Sequence, residues 1–444
     1  MLPHVIVHNE MSLDARMDRL AWDLGDPAGD IAPLTNRNLG GNIPGLNEDF
    51  EPFHPMKGPM STQTFQGIIG QEPFHWRGEK DDLSEFNVAF THLQGRDAEI
   101  TASEMASLSN YLNSLAFPPN PHRNLDNSLK TSLPIFGGVV TGLGGTGNPV
   151  TGQTIFNTSQ IFGAPPGLTC LNCHSGVAGS NNIVDIPAPG GEAQNRKNAP
   201  LRDVWRKTGA NRASTTALRG FGFDHNGEEA TLQDLLSIGF AFPAGATGAQ
   251  QRRDVEAFCL SFGSATHAAV GAQTTATGVN NDSARINSFI ALANANALGL
   301  IVKGNVGGVA RGYLFVSGAF KSDRALDATL SSAALLALAA SNSELTYTLV
   351  PAGSQTRLGI DRDLDGFFDR DELDRGSDPA DASSVPGACV ADISPAVPDQ
   401  VVNGGDLAAL LGGWGSSGST DLDNSGTTDA ADLAQLLAAW GNCP

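Results

Sequence analysis

A chain of 444 residues exceeds what one hydrophobic core usually organises, so more than one domain is expected. Its formal net charge of -20 argues against nucleic acid or an anionic membrane surface as a partner, and no run of about 18 apolar residues is present to span a bilayer. With Gly 52, Pro 25 and only 7% aromatic residues, much of the chain is expected in turns and long loops.

Met1 to Glu10 offers neither the basic start nor the apolar core of an export signal, which reads as a late start codon or a fragment. A weak repeat orders the first half. Phe74, His75, Trp76, Arg77, Gly78 and then Leu83 are echoed by Asp224, His225, Asn226, Gly227 and then Leu232. In each copy an aromatic or His precedes a polar residue and Gly, and a Leu follows seven positions after that ring. Helical spacing comes next, with Met105, Leu108 and Leu112 in one copy and Val255, Phe258 and Phe262 in the other. Two related helical domains are expected, residues 1–126 and 153–272, divided by the Pro-rich break at Phe117 to Pro121 and a Gly-rich linker from Phe136 to Gly152.

Residues 278–376 read as a small α+β module. Strands are predicted at Leu300 to Val302, Tyr313 to Val316 and Leu345 to Val350, around an Ala/Leu-rich helix from Leu330 to Ala340. Residues 389–444 carry a clearer repeat: Asp406, Leu407, Leu410, Leu411, Trp414 and Gly415 recur as Asp432, Leu433, Leu436, Leu437, Trp440 and Gly441. Each copy predicts a short amphipathic helix. The fold class expected is multidomain and mainly α.

Cys170, Leu171, Asn172, Cys173 and His174 have the spacing that sets two thiols on one helical turn, to add to heme vinyl groups, with the next imidazole reaching the iron. The bland alternatives are a zinc half-site and a redox dithiol. Zinc needs two further ligands, and no second Cys pair exists; a thioredoxin-like dithiol opens a helix after a strand, whereas Pro165, Pro166 and Gly167 precede this one. One covalent heme c is therefore expected. All six methionines lie at or before Met105, so the segment holding the motif has no Met for the far side of the iron. His225 is the candidate there, read either as a ligand or pocket residue or as a loop histidine bonded to its neighbours, and His267 reads as a surface residue. Cys259 reads as a small core residue on the apolar side of a helix.

Two acidic loops follow. Asp361, Asp363, Asp365, Gly366, Phe367, Asp369 and Glu372 occupy positions 1, 3, 5, 6, 7, 9 and 12 of a calcium loop. Asp421, Asp423, Ser425, Gly426, Thr427, Asp429 and Asp432 form a second, with a shorter twelfth ligand. Calcium is the expected ion at both. Cys389 and Cys443 flank the last segment and suggest a disulfide, which fits an oxidising, periplasmic or extracellular location.

On Trp76 to Gly78, His225 to Gly227 and the run Pro200, Leu201, Arg202, Asp203 and Val204, residues about 40 to 265 resemble the bacterial diheme cytochrome c peroxidase group. That resemblance implies two cytochrome c-like domains and a redox partner protein. The chain departs from it in two ways. The first domain has no Cys-x-x-Cys-His, only His8, Asn9, Glu10, Met11 and Ser12 where one is expected, and Gly239 stands near the place of that group's distal Met. His54, Met56, Met60 and His75 read as leftover pocket residues of a lost heme or, for the two Met, as core. The segment from Cys389 to Pro444 resembles a dockerin, which implies a cohesin-like or cell-surface scaffold as partner. It departs where Asp392 to Asp406 is too long for a twelve-residue loop and Gln400 stands in place of Gly. The expected function is an exported electron-transfer cytochrome; the rivals are a peroxidase-like heme enzyme with an open distal site and a calcium-dependent scaffold or adhesion protein.

Overall fold

Side-chain caps start several helices of the first half of the computed structural model, which describes residues 21–22, 60–61, 63–135, 138, 142, 144–161, 167–185, 196–208, 223–225, 229, 231–386, 389–394 and 401–442. Helix α1 (Ala102–Ser114) opens with a reciprocal box between Thr101 and Glu104. Helix α2 (Pro149–Thr158) begins at Asn148, whose Oδ1 accepts the amides of Val150 at 2.9 Å and Thr151 at 3.3 Å, with Pro in its first turn. The one-turn α3 (Cys170–Cys173) and the long α4 (Gly245–Leu260) complete the set around the Cys-x-x-Cys-His run. Helices α2 and α4 meet backbone to backbone. A Cβ on Gly152 would stand 1.8 Å from the carbonyl oxygen of Asp254, and one on Gly147 2.2 Å from that of Arg253. This closeness lets Ile155 and Phe156 interleave with Val255, Phe258 and Cys259 in a core shared with Leu201, Val204, Phe223, Leu232 and Leu236.

The weak repeat is visible in the backbone. Phe74 bridges to Lys80 and Phe223 to Glu229, both antiparallel, and the residue after each Phe is left-handed, with φ 67° at His75 and at Asp224. A short capped helix follows each turn, Leu83–Phe86 after Asp82 and Leu232–Leu235 after Thr231. Trp76 and His225 are thus equivalent positions of a duplicated turn.

The chain divides into two compact units, Met1–Ala269 and Val270–Pro444. The second is built on a five-stranded antiparallel sheet. Its strands are β1 (Gln273–Ala276), β2 (Gly299–Val306), β3 (Val309–Val316), β4 (Ala319–Ser322) and β5 (Leu345–Val350), in the order β4-β3-β2-β5-β1. Gly307 and Gly308, at φ 64° and 82°, close the β2–β3 hairpin in the two-residue turn that suits strand twist. Leu345, Tyr347 and Leu349 of β5 point inward while Thr346 and Thr348 point out, and Ile286 and Phe289 of helix α5 (Ser283–Asn294) are buried.

The mainly α expectation, with two helical cytochrome c-like domains, is overturned by this architecture. The described residues contain the five-stranded sheet and four two-stranded ribbons. The predicted helix from Leu330 to Ala340 shrinks to Ser332–Leu336, because Leu330 bridges to Phe320 and Ala340 to Ser343. Among the described residues of the first unit the helices are mostly short, α4 excepted. The Pro-rich break runs straight onto the end of α4, where Asn120 Nδ2 donates to the carbonyls of Leu260 and Phe262, both at 2.9 Å.

The second unit ends in helix α6 (Asp369–Arg375) and then the paired helices α7 (Gly404–Gly412) and α8 (Ala430–Ala438). The pair is internally alike. Asn403 and Asp429 cap the helices, Asp406 and Asp432 return the bond, and Val401–Val402 pairs with Gly441–Asn442. Their core is Ala391, Val402, Leu410, Leu422 and Leu436. No described helix is long and apolar enough to cross a membrane.

Candidate heme-attachment site and acidic loops

Helix α3 is fixed by Asn172, whose Oδ1 accepts both the amide and the hydroxyl of Thr169, at 2.8 and 3.0 Å. His174 follows directly, its amide bonded to the Cys170 carbonyl at 2.9 Å. The chain then folds back through Gly176 and Gly179. A Cβ on Gly179 would press on Leu201 and Phe262 at 2.7 and 2.8 Å, so this left-handed turn admits only glycine. The turn places the Gly179 carbonyl 3.0 Å from Nδ1 of His174, and the Ala199 carbonyl lies 3.1 Å from the same nitrogen. Carbonyls only accept, so Nδ1 carries the proton and Nε2 keeps its lone pair. Burial pushes the His174 pKa down, outweighing the two carbonyls. The Phe156 ring packs at 6.2 Å.

Cys170 and Cys173 are half-buried thiols outside any disulfide, and Cys170 packs against the core formed by α2 and α4. Burial pushes the Cys170 thiol up to about 11. A redox dithiol needs the opposite shift, toward thiolate. The groups of three or more His, Cys, Asp or Glu able to share a metal are, among the described residues, Asp361, Asp363, Asp365 and Asp421, Asp423, Asp432, and neither includes the Cys pair. Pro165 and Pro166 lie outside the described residues.

His225 is buried, and its neighbours are charged side chains where those of His174 are backbone carbonyls. Its Nδ1 lies 2.6 Å from Nη1 of Arg196 and 2.9 Å from Oδ1 of Asp224, and Arg196 also donates to Asp224 at 2.5 Å. A guanidinium only donates and a carboxylate only accepts, so these two neighbours compete for Nδ1 and neither fixes the tautomer. The His225 ring meets Trp76 edge-on at 6.4 Å. Asn226 and Gly227 lie outside the described residues, as do His8, His54 and Met56. Met60 is buried, its backbone paired with Trp22; Nδ1 of His75 lies 2.9 Å from Glu79; Gly239 is exposed and His267 half-buried. Cys259 is a core residue.

Sequence reasoning missed Arg196 and Lys207, which no local pattern marks. The Lys207 ammonium lies 5.6 Å from the Trp76 ring and 5.4 Å from that of Phe223, and burial pushes it down to about 8. Asp203, within the Pro200 to Val204 run, is buried beside Arg206 at 3.2 Å, and burial raises its carboxyl to about 7 despite that charge.

In the first acidic loop, carboxylate oxygens of Asp361, Asp363 and Asp365 lie within 4.8 Å of one another. Gly366, at φ 100°, makes the sharp turn, and the Phe367 amide donates to Asp365 at 2.8 Å. Glu372 is fully buried; burial, then the charges of Asp363 and Asp365, raise its carboxyl to about 7. Asp369 is also buried. In the second loop Asp421, Asp423 and Asp432 form a similar triad, and Ser425 and Thr427 are exposed. Cys389 is disulfide-bonded, and Cys443 lies outside the described residues.

No protein-family model, curated protein or solved structure matches this chain.

Proposed function

We propose that the chain is an exported c-type heme protein that carries electrons for a redox partner, with heme held through Cys170 and Cys173 and its iron by Nε2 of His174. The observation that supports this is the pair of carbonyls, Gly179 and Ala199, on Nδ1 of His174. Metal-ligating histidines use their second nitrogen in this way to fix the tautomer and aim the ring. When bound, the heme would supply the one-electron iron couple. The chain supplies two thiols on one turn, a neutral imidazole with a fixed orientation, and an aromatic and aliphatic wall of Phe156, Phe258 and Leu201 that excludes water.

The test is a pyridine-hemochrome spectrum with an intact mass on protein exported through a cytochrome c maturation system. One heme per chain, lost when Cys170→Ala and Cys173→Ala are combined, is expected; a folded chain without covalent heme overturns the reading. The buried His225, set between Arg196 and Asp224, favours a second reading, a peroxidase-like protein whose far iron face is open, with this imidazole as the proton-transfer group. A high-spin ferric spectrum that moves on adding cyanide selects this reading; low-spin bands in both oxidation states select the carrier.

A further inference from the structure

We infer that the loop from Asp361 to Glu372 is a built site for one calcium-sized divalent cation, and that the bound cation fastens α6 to the five-stranded sheet. This stands apart from the heme reading. A triad of acidic side chains alone would carry no such conclusion, since many remain solvated. Here Glu372 is 0% exposed, and its Oε2 has no hydrogen-bond partner, nor have the buried Oδ2 atoms of Asp363 and Asp365. Buried carboxylate oxygens without a donor are strongly disfavoured. These three come from positions 3, 5 and 12 of the loop template, where a single ion would satisfy them together.

The ligand set differs from the template in one respect. Asp369 is already engaged: its Oδ1 accepts the Arg362 amide at 2.8 Å, and its Oδ2 faces Lys303 at 3.7 Å and Arg362 at 3.5 Å. The remaining donors are Asp361, Asp363, Asp365, the Phe367 carbonyl and Glu372, whose Oε1 also accepts the Ser377 hydroxyl at 3.3 Å. This is an all-oxygen set ending in a Glu at the twelfth position, which suits calcium better than magnesium.

The second loop fits the same template but fills its own oxygens. Asp432 accepts the amides of Leu422 at 2.6 Å, Asp423 at 3.1 Å and Asp429 at 2.7 Å. Asp421 accepts those of Ser425 at 3.0 Å and Gly426 at 2.7 Å. In the first loop Asp361, Asp363, Asp365 and Glu372 each accept a bond on one oxygen, but the buried second oxygens of Asp363, Asp365 and Glu372 have none, so the tighter event is assigned to that loop.

Fastening follows from the bonds around α6. The Asp369 amide donates to the Ile360 carbonyl at 2.8 Å and that of Arg370 to the Asp323 carbonyl at 3.2 Å. Asp371 accepts the Ala325 amide at 2.8 Å, and Arg324 Nε donates to Asp374 at 2.9 Å. The Asp323 side chain in turn accepts from Nε of Arg311 at 2.7 Å and the amide of Gly312 at 2.6 Å, both on β3. Holding Glu372 holds this whole set.

The experiment is calorimetric titration of the full chain, stripped by chelator, with calcium alone and with magnesium alone, alongside thermal melts. Wild type is expected to show one tight calcium event, weaker with magnesium, and a calcium-dependent rise in Tm. Glu372→Gln should weaken the tight event at least tenfold and abolish the rise, while Asp432→Asn leaves both. If Glu372→Gln fails to fold by circular dichroism, Asp363→Asn, at a half-buried position, is the replacement. A tight event untouched by the first-loop variants, one removed by Asp432→Asn, or no binding at about 1 mM calcium, the weak end for extracellular modules, overturns the inference.

Discussion

The two units of this chain reach order by different means. In the second, adjacent hairpins build a ladder whose register is set by local turns at Gly307 and Gly308 and at Ser317 and Gly318. In the first, the candidate heme motif sits on a single helical turn, steadied by α2 and α4, which are far apart in sequence and touch through glycine. A ladder spreads its stability over many equivalent bonds, whereas a glycine crossing concentrates it at one contact. Damage should accordingly be graded in the second unit and abrupt in the first.

The largest effect is expected at that crossing. Gly152→Val drives a branched side chain into the Asp254 carbonyl and should destabilise the first unit by about 3 kcal/mol or more, with loss of heme loading in the hemochrome assay. Leu345→Ala, at a fully buried position of β5, should cost about 3 kcal/mol in a denaturant melt and leave heme content unchanged. If heme loading survives Gly152→Val, or fails in Leu345→Ala, the contrast between the units breaks down.

Asp203 sharpens the contrast through pH. Its folded pKa, about 7, lies above the ordinary 3.8, so the folded state binds the extra proton and stability falls as pH rises between these values. Asp203→Asn should flatten that slope, a difference of about 3 kcal/mol between pH 5 and pH 8, read from denaturant melts at those two values. A variant with the wild-type slope would exclude Asp203 as the source. The smallest effect is Asn148→Ala, which removes the α2 cap and should cost about 1 kcal/mol in the same melts, without altering heme content.

What the sequence discloses follows the same division. Cys170, Cys173 and His174 declare themselves by spacing, and the turn at Trp76 and its echo at His225 by a local pattern that the backbone repeats. Strands such as Leu345–Val350 show through alternation, while Gln273–Ala276 and Ala319–Ser322 are too short and polar to do so. The Ala/Leu run ending at Ala340 misleads because bridging at both ends, a tertiary effect, overrides helix propensity. The partners of His174 and His225 are equally hidden. Ala199 and Arg196 lie 25 and 29 residues away, and they act through a carbonyl and a guanidinium that no periodicity reports.

The duplicated turn has a consequence for how this chain can change. A left-handed residue precedes each ring, His75 before Trp76 and Asp224 before His225, so the same backbone turn presents an indole in one copy and an imidazole in the other. One copy can then keep an inert aromatic as a wall while the other acquires a titratable ring, so that duplication separates the freedom to gain chemistry from the need to stay folded.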